Sequence, residues 1–151
     1  GKESFAIDLF DVREVVEFTT ITQVPTAPPY VRGIIDLRGE ITTIIDLKQR
    51  LNITEKTDRA SELSRIIVLD ESITRMKVGI LVDDVTSVST FEAGQVDYTS
   101  NSFTKDDSSI IGIIKRKVRV REKETNELII WLDIRRLLTV LDAGKKSDAG
   151  K

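Results

Sequence analysis

The composition of this chain removes several common kinds of catalytic machinery. The chain has no Cys and no His, which excludes thiol chemistry, Cys/His zinc sites and Ser-His-Asp triads. Two acidic pairs, Asp83-Asp84 and Asp106-Asp107, could offer oxygen ligands to Mg²⁺ or Ca²⁺, but neither lies in the spaced acidic loop of an EF-hand. The 8 glycines form no phosphate-binding motif. The sequence therefore predicts no catalytic residue, no metal site and no cofactor.

A basic segment near the end of the chain is the strongest charged feature. Its alternate residues are cationic and would share one face of a strand: Lys115, Lys117, Arg119 and Arg121. Such a stripe could follow the phosphates of RNA. Three acidic residues that follow could instead pair across a hairpin: Glu122, Glu124 and Glu127. Aromatic residues for base stacking make up only 5% of the chain, and 23 basic against 25 acidic residues leave a net charge of −2. We interpret the segment as a solvated strand face and keep a small RNA-binding β-barrel as an alternative.

A recurring pattern places an aspartate between a strand and a helical turn. It occurs at Asp8, Asp46 and Asp133, each flanked by aliphatic residues. Aspartate is a good helix N-cap, because its carboxylate accepts hydrogen bonds from the first amide groups of the helix. We interpret these three residues as caps and not as catalytic groups.

The composition favours a mostly β fold. Ile, Val and Thr account for 48 residues, whereas Leu and Ala account for 18. Short aliphatic runs separated by turns predict small closed barrels, and no run is long enough to span a membrane. One amphipathic helix is expected after Asp133, with its apolar face at Ile134, Leu137, Leu138 and Leu141 and its end near Gly144, followed by a frayed tail over 145–151.

Turn signals divide the remaining chain into strands and loops. Arg38-Gly39 predicts a tight hairpin, and Asp46 is expected to begin a short helix over 47–51. The other expected features are, in order, a proline-rich loop at 25–29, a linker at 52–63, strands at 64–70 and 76–82, a loop at 89–109 with a short strand near Val96 and Tyr98, and a hairpin of 110–120 with 128–132 around a polar turn region at 122–127.

Three apolar residues near the beginning of the chain allow two interpretations. Leu9, Val12 and Val15 could be core residues. They could also line a groove for a partner helix, with Glu14 and Arg38 as a charge pair that fixes the shape nearby.

Five segments, taken in order, carry a resemblance to a known family: GKESFAID at 1–8, VRGIIDLRG at 31–39, IIDL at 44–47, VGILVDDV at 78–85 and IWLDI at 130–134. In this order and spacing the chain resembles CheW, the chemotaxis coupling protein family. The resemblance spans nearly the whole chain.

The resemblance implies a fold and a division of the chain. The fold is two interleaved, five-stranded SH3-like β-barrels with short helices and a C-terminal helix, in a single CheW-like domain over 1–151. One barrel is expected at approximately 17–70, and the other from approximately 1–16 and 71–144.

The resemblance also implies a non-enzymatic adaptor in the cytoplasm, recruited to membrane receptor arrays. It would couple methyl-accepting chemoreceptors to the regulatory domain of the histidine kinase CheA, with no direct membrane insertion and no nucleic acid. The groove for the receptor would be lined by Leu9, Val12, Val15, Val85 and Val88. Glu14 and Arg38 would form a structural and signalling charge pair. The kinase would contact Arg38, Ile41, Thr43 and Ile45.

Two departures from the family pattern bear on these expectations. Family members usually carry a further strand before the Gly1-Lys2-Glu3 turn, so part of the first sheet and groove is expected upstream of residue 1. Thr43 stands where many relatives have Pro, which restores one backbone donor and is expected to alter that edge. A CheA-type regulatory domain and the CheW half of a receiver fusion remain alternatives, although the polar tail favours a separate protein.

Overall fold

The computed structural model describes residues 4–51, 62–74, 76–98 and 109–138. These residues are mostly β, as predicted, and they form one sheet of four strands and one of five. The strands are β1 (Ser4–Ala6), β2 (Val12–Glu17), β3 (Val31–Leu37), β4 (Glu40–Asp46), β5 (Arg65–Leu69), β6 (Val78–Val82), β7 (Val96–Asp97), β8 (Ile110–Val120) and β9 (Lys123–Leu132).

Short helices connect the strands. Helix α1 (Leu47–Arg50) follows β4, and 3₁₀ turns occupy Leu9–Asp11 and Ala93–Gln95. Asp46 caps α1 as predicted, since its carboxylate accepts from the amide groups of Lys48 and Gln49. Residues 134–138 are helical, and Asp133 Oδ1 accepts from the amide of Arg136 at 3.1 Å.

The chain divides into two compact units. The five-stranded unit, Leu9–Ser87, has the strand order β2-β5-β6-β4-β3. The four-stranded unit, Gly1–Asp8 with Val88–Lys151, has the order β1-β9-β8-β7. Closure of each sheet into a barrel stays a prediction.

The strand pairing corrects the predicted bounds of the first barrel. Strand β2 pairs with β5, and β6 pairs with both β4 and β5. The sheet therefore takes strands from both sides of the range 17–70. The linker expected at 52–63 falls mostly outside the described residues, and β4 and β5 on either side of it belong to one sheet.

An aliphatic cluster forms the core of the five-stranded unit. It contains Ile35, Ile44, Ile66 and Val68, of which Ile44 and Ile66 are fully buried. Gly79 allows this packing, because a Cβ there would lie 2.7 Å from Ile66 Cγ2. In the four-stranded unit the side chains of Leu132, Ile134, Leu137 and Leu138 are buried, which confirms this part of the predicted helix face. Leu141, Gly144 and the tail lie outside the described residues.

The hairpin of β8 and β9 differs from its prediction. The polar region 122–127 is strand, apart from its first residue, and the turn is only Arg121-Glu122, both with positive φ of 52° and 63°. Two central residues with positive φ match the twist of paired strands. The sequence did not distinguish strand from turn at 122–127, because polar residues lie on both faces of the hairpin there.

Candidate partner-binding surface

The turn between β3 and β4 positions Arg38. Both turn residues have positive φ, 55° for Arg38 and 85° for Gly39, and the amide of Gly39 donates to Asp36 Oδ1 at 2.7 Å. A non-glycine residue in this region is uncommon and strained. The predicted hairpin is confirmed, and its turn holds the Arg38 side chain at the end of the five-stranded sheet.

The predicted pair of Arg38 and Glu14 is present. Arg38 Nη1 donates to Glu14 Oε2 at 3.0 Å and Nη2 donates to Oε1 at 2.5 Å. This two-bond geometry is the strongest form of an Arg–carboxylate contact. The Glu14 side chain is 22% exposed, whereas that of Arg38 is 68% exposed. Glu14 thus anchors a guanidinium group that remains largely exposed.

A bulge in β2 extends this pair into a larger network. Val12 pairs with Leu69 and Glu14 with Val68, so Arg13 is an additional residue in the strand. Arg13 Nε lies 4.0 Å from Glu14 Oε2, and its Nη1 donates to Glu71 Oε1 at 3.2 Å.

The network continues across the end of the sheet. Lys77 Nζ donates to Glu71 Oε1 at 2.9 Å and also to Glu40. We call the six linked residues the turn network: Arg38, Glu14, Arg13, Glu71, Lys77 and Glu40. Its charges alternate in sign and sum to zero. Only Glu14 and Arg38 were predicted, because the other contacts depend on strand register.

The turn network shifts the pKa values of Glu71 and Lys77. The hydrogen bond from Lys77 lowers the pKa of Glu71, with a further contribution from the charge of Arg13. The hydrogen bonds to Glu40 and then Glu71 raise the pKa of Lys77. Nearby, the hydrogen bond from Ser72 lowers the pKa of Asp70. Each shift favours the charged form.

The apolar residues predicted to meet the receptor are mostly on the surface. The exposed fractions are 59% for Leu9, 45% for Val15, 36% for Val85 and 74% for Val88, while Val12 is half-buried. Leu9, Val15 and Val85 belong to the five-stranded unit, whereas Val88 belongs to the four-stranded unit. Phe10, which sequence reasoning missed, is 89% exposed. Core packing therefore does not account for Leu9, Val15, Val85 and Val88.

The predicted kinase-contacting strand is only partly accessible. Ile41 is 61% exposed and Thr43 is half-buried, but Ile45 is 4% exposed. The prediction of Ile45 as a contact residue is corrected, because its side chain is packed inside the unit. Strand β4 also lies between β6 and β3, and the Thr43 amide donates to the carbonyl of Lys77 at 2.9 Å. The backbone donor gained at Thr43 therefore serves the sheet and does not alter an edge.

The acidic pairs are the candidates for a metal site, and the helices are the candidates for a membrane span. No cluster of three or more Asp, Glu, His or Cys within the described ranges could hold a metal ion. Asp83 pairs with Lys48 at 2.5 Å, whereas Asp106-Asp107 lies outside those ranges. Among the described helices, none is long and apolar enough to cross a bilayer.

The described residues thus form a small β protein of two sheets, with exposed apolar residues and a charged network at one turn. The CheW-like domain family matches residues 1–142, and the chain belongs to this family. A CheW chemotaxis protein of Bacillus subtilis is 34% identical over 121 residues, which are 80% of this chain and 74% of that protein.

Two further comparisons agree with this family. The CheW chemotaxis protein of Treponema pallidum is 34% identical over 90 residues, 58% of this chain but only 52% of that protein. The crystal structure of the scaffolding protein TtCheW from Thermoanaerobacter tengcongensis has a TM-score of 0.71 and 33% identity, and the match covers 90% of this chain and 80% of that one.

Proposed function

We propose that this chain is a non-enzymatic chemotaxis adaptor that couples the cytoplasmic tips of methyl-accepting chemoreceptors to the regulatory domain of the histidine kinase CheA. It would act at receptor arrays on the cytoplasmic side of the membrane. The observation that carries the proposal is the exposure of apolar residues where the family resemblance implies partner contacts. A chain that acts by binding needs such surfaces and no reactive group.

The receptor contact is proposed at Leu9, Val12, Val15, Val85 and Val88. A receptor tip is a helical hairpin, and an amphipathic helix binds by laying its apolar residues into an apolar groove. Exposed valine and leucine side chains are suited to this contact, because burying each one removes apolar surface from water.

The kinase contact is proposed at Arg38, Ile41 and Thr43. Ile41 supplies an exposed apolar side chain two residues after the turn. Arg38 adds an exposed guanidinium group that Glu14 holds in place. An apolar residue beside an ordered arginine is a common composition for the centre of a protein interface.

The proposal is tested by measuring the affinity of the chain for a receptor hairpin and, separately, for the CheA regulatory domain. We expect Val15→Asp to weaken receptor binding by about tenfold or more, since a desolvated carboxylate would face the helix. Val24→Asp is the matched control, because Val24 is in the same unit and is 41% exposed against 45% for Val15.

The kinase arm uses the same design. Ile41→Asp should weaken binding to the CheA regulatory domain, whereas Leu63→Asp should not. Leu63 is 57% exposed against 61% for Ile41, so the two changes alter the folded surface alike. Fluorescence of Trp131 and circular dichroism check that each variant is folded.

Each outcome has a distinct meaning. Binding of both partners by the parent chain, with selective losses in the two variants, supports the adaptor. Equal losses in a variant and its control contradict the assigned surface. Folded chain that binds neither partner contradicts the adaptor itself.

A further inference from the structure

The hairpin of β8 and β9 extends well beyond its sheet. Strand β1 pairs only with Ile129–Trp131 of β9, and β7 pairs only with residues 113–114 of β8. The two long strands nevertheless pair with each other as far as Val120 and Lys123. Residues 115–128 therefore form a two-stranded ribbon that has no third strand beside it among the described residues.

One face of this ribbon is exposed along its whole length. Residues directly opposite in an antiparallel pair point to the same side, which groups Lys115 with Leu128, Lys117 with Asn126 and Arg119 with Glu124. All six are exposed. On the other face Arg116, Val118 and Glu127 are half-buried, and Val120, Lys123 and Thr125 are exposed. We call the exposed side the cationic face, after Lys115, Lys117 and Arg119.

Two of the three cations on this face, Lys115 and Lys117, form long ion pairs. Lys117 Nζ lies 3.9 Å from Glu124, with exposed side-chain fractions of 79% and 67%. Lys115 Nζ lies 4.0 Å from Asp97, with fractions of 54% and 40%. Exposed pairs at these distances contribute little and are readily exchanged. By contrast, Arg116 on the other face donates two hydrogen bonds to Glu127.

We propose that the cationic face docks an extended acidic segment of a partner polypeptide, separate from the receptor and kinase contacts. Alternate residues along a strand are about 6.8 Å apart. An extended segment with carboxylates at alternate positions has the same spacing and would place one carboxylate at each of the three cations. Leu128, 58% exposed, adds an apolar contact at one end of the row.

The composition of the face favours a polypeptide over a nucleic acid. None of its six residues is aromatic, so it offers no ring for base stacking.

The test is a binding titration of the whole chain with a synthetic peptide of alternating Glu and Thr that ends in Leu. A peptide of the same composition with its glutamates contiguous is the spacing control, and oligouridylate is the nucleic-acid probe. We expect Lys115→Glu/Lys117→Glu to weaken binding of the alternating peptide by about tenfold or more, equivalent to about 1.4 kcal/mol.

The matched control is Arg121→Glu/Lys123→Glu, which reverses the same number of charges on the same ribbon, with Arg121 in the turn and Lys123 on the other face. It should bind nearly as the parent does, and Glu124→Gln should bind more tightly because it removes a competing carboxylate. Receptor and kinase binding should be unchanged in all three variants, so this proposal can fail without affecting the adaptor.

Three results would overturn the proposal. Equal weakening by the two double variants would show only long-range attraction. Equal affinity for the alternating and contiguous peptides would remove the spacing argument. Binding of oligouridylate but not of peptide, or of neither probe, would show that the face does not recognise acidic polypeptide. Trp131 fluorescence verifies that the variants retain the fold.

Discussion

Reversing the charge of Arg38 should separate its role in the fold from its role in binding. In Arg38→Glu, the two hydrogen bonds to Glu14 are lost and two carboxylates come together. We expect the variant to fold and to fail in kinase activation. The exchanged pair, Glu14→Arg/Arg38→Glu, should recover stability but not activation, because the exposed guanidinium group would no longer lie at the turn.

The expected loss of stability follows from exposure. An ion pair with one partner 68% exposed contributes at most about 1 kcal/mol, and two like charges at about 4 Å in water repel by about 1 kcal/mol. The total is about 1–2 kcal/mol, a decrease in Tm of about 2–8 °C for a chain of this size. A loss this small leaves the protein folded under assay conditions.

Arg38→Gly supplies a control with no new charge. Glycine adopts a φ of 55° without strain, so this variant loses the ion pair but relieves the backbone. It should therefore be nearly as stable as the parent while still impaired in activation. The assay is CheA autophosphorylation with receptor and adaptor present, alongside urea unfolding of each variant.

Two results would refute this reasoning. If the exchanged pair restored activation in full, the guanidinium group at the turn would not be a contact, and the pair would act only on local shape. If Arg38→Glu unfolded the chain, the Arg38–Glu14 pair would contribute far more to stability than the exposure of Arg38 implies.

Two further predictions concern the five-stranded unit. Gly33→Ala should lower the free energy of unfolding by more than about 2 kcal/mol in urea, because its Cβ would lie 2.1 Å from the Thr22 carbonyl oxygen at a φ of 146°; an unchanged midpoint would contradict this close approach. Lys77→Gln should raise the pKa of Glu71 towards its ordinary 4.5 in an NMR titration, with the pKa of Asp70 as the control. Because folding lowers the pKa of Glu71, its stabilising contribution is present above 4.5 and is lost as the pH falls through the folded pKa, so the variant should lose less stability in acid.

Local features could be predicted from the sequence because neighbouring residues determine them. Arg38-Gly39 predicted its hairpin through the backbone freedom of glycine, and Asp46 predicted the beginning of α1 through its capping carboxylate. The apolar spacing of Ile134 and Leu137 predicted a helix face that the structure shows to be buried.

Contacts between distant residues could not be predicted in the same way. Arg13 reaches Glu71 across 58 positions and Lys77 reaches Glu40 across 37. Both contacts require the register of several strands, and the bulge at Arg13 shifts that register by one residue. Nothing in the local sequence marks the bulge, since Arg13 stands between Val12 and Glu14 with no Gly beside it.

The position of β4 limits where a partner can bind on the five-stranded unit. Ile41 and Ile45 share a face of β4 because they are four residues apart, but only Ile41 is exposed. The alternation of side chains along a strand predicts which residues share a face, and it does not predict how much of that face is covered by packing. The pairing directions place the beginnings of β2, β4 and β6 and the ends of β3 and β5 at one end of the sheet. That end carries the turn network and the exposed Ile41. We therefore expect the kinase contact to centre on this end of the sheet and not to follow the whole length of β4.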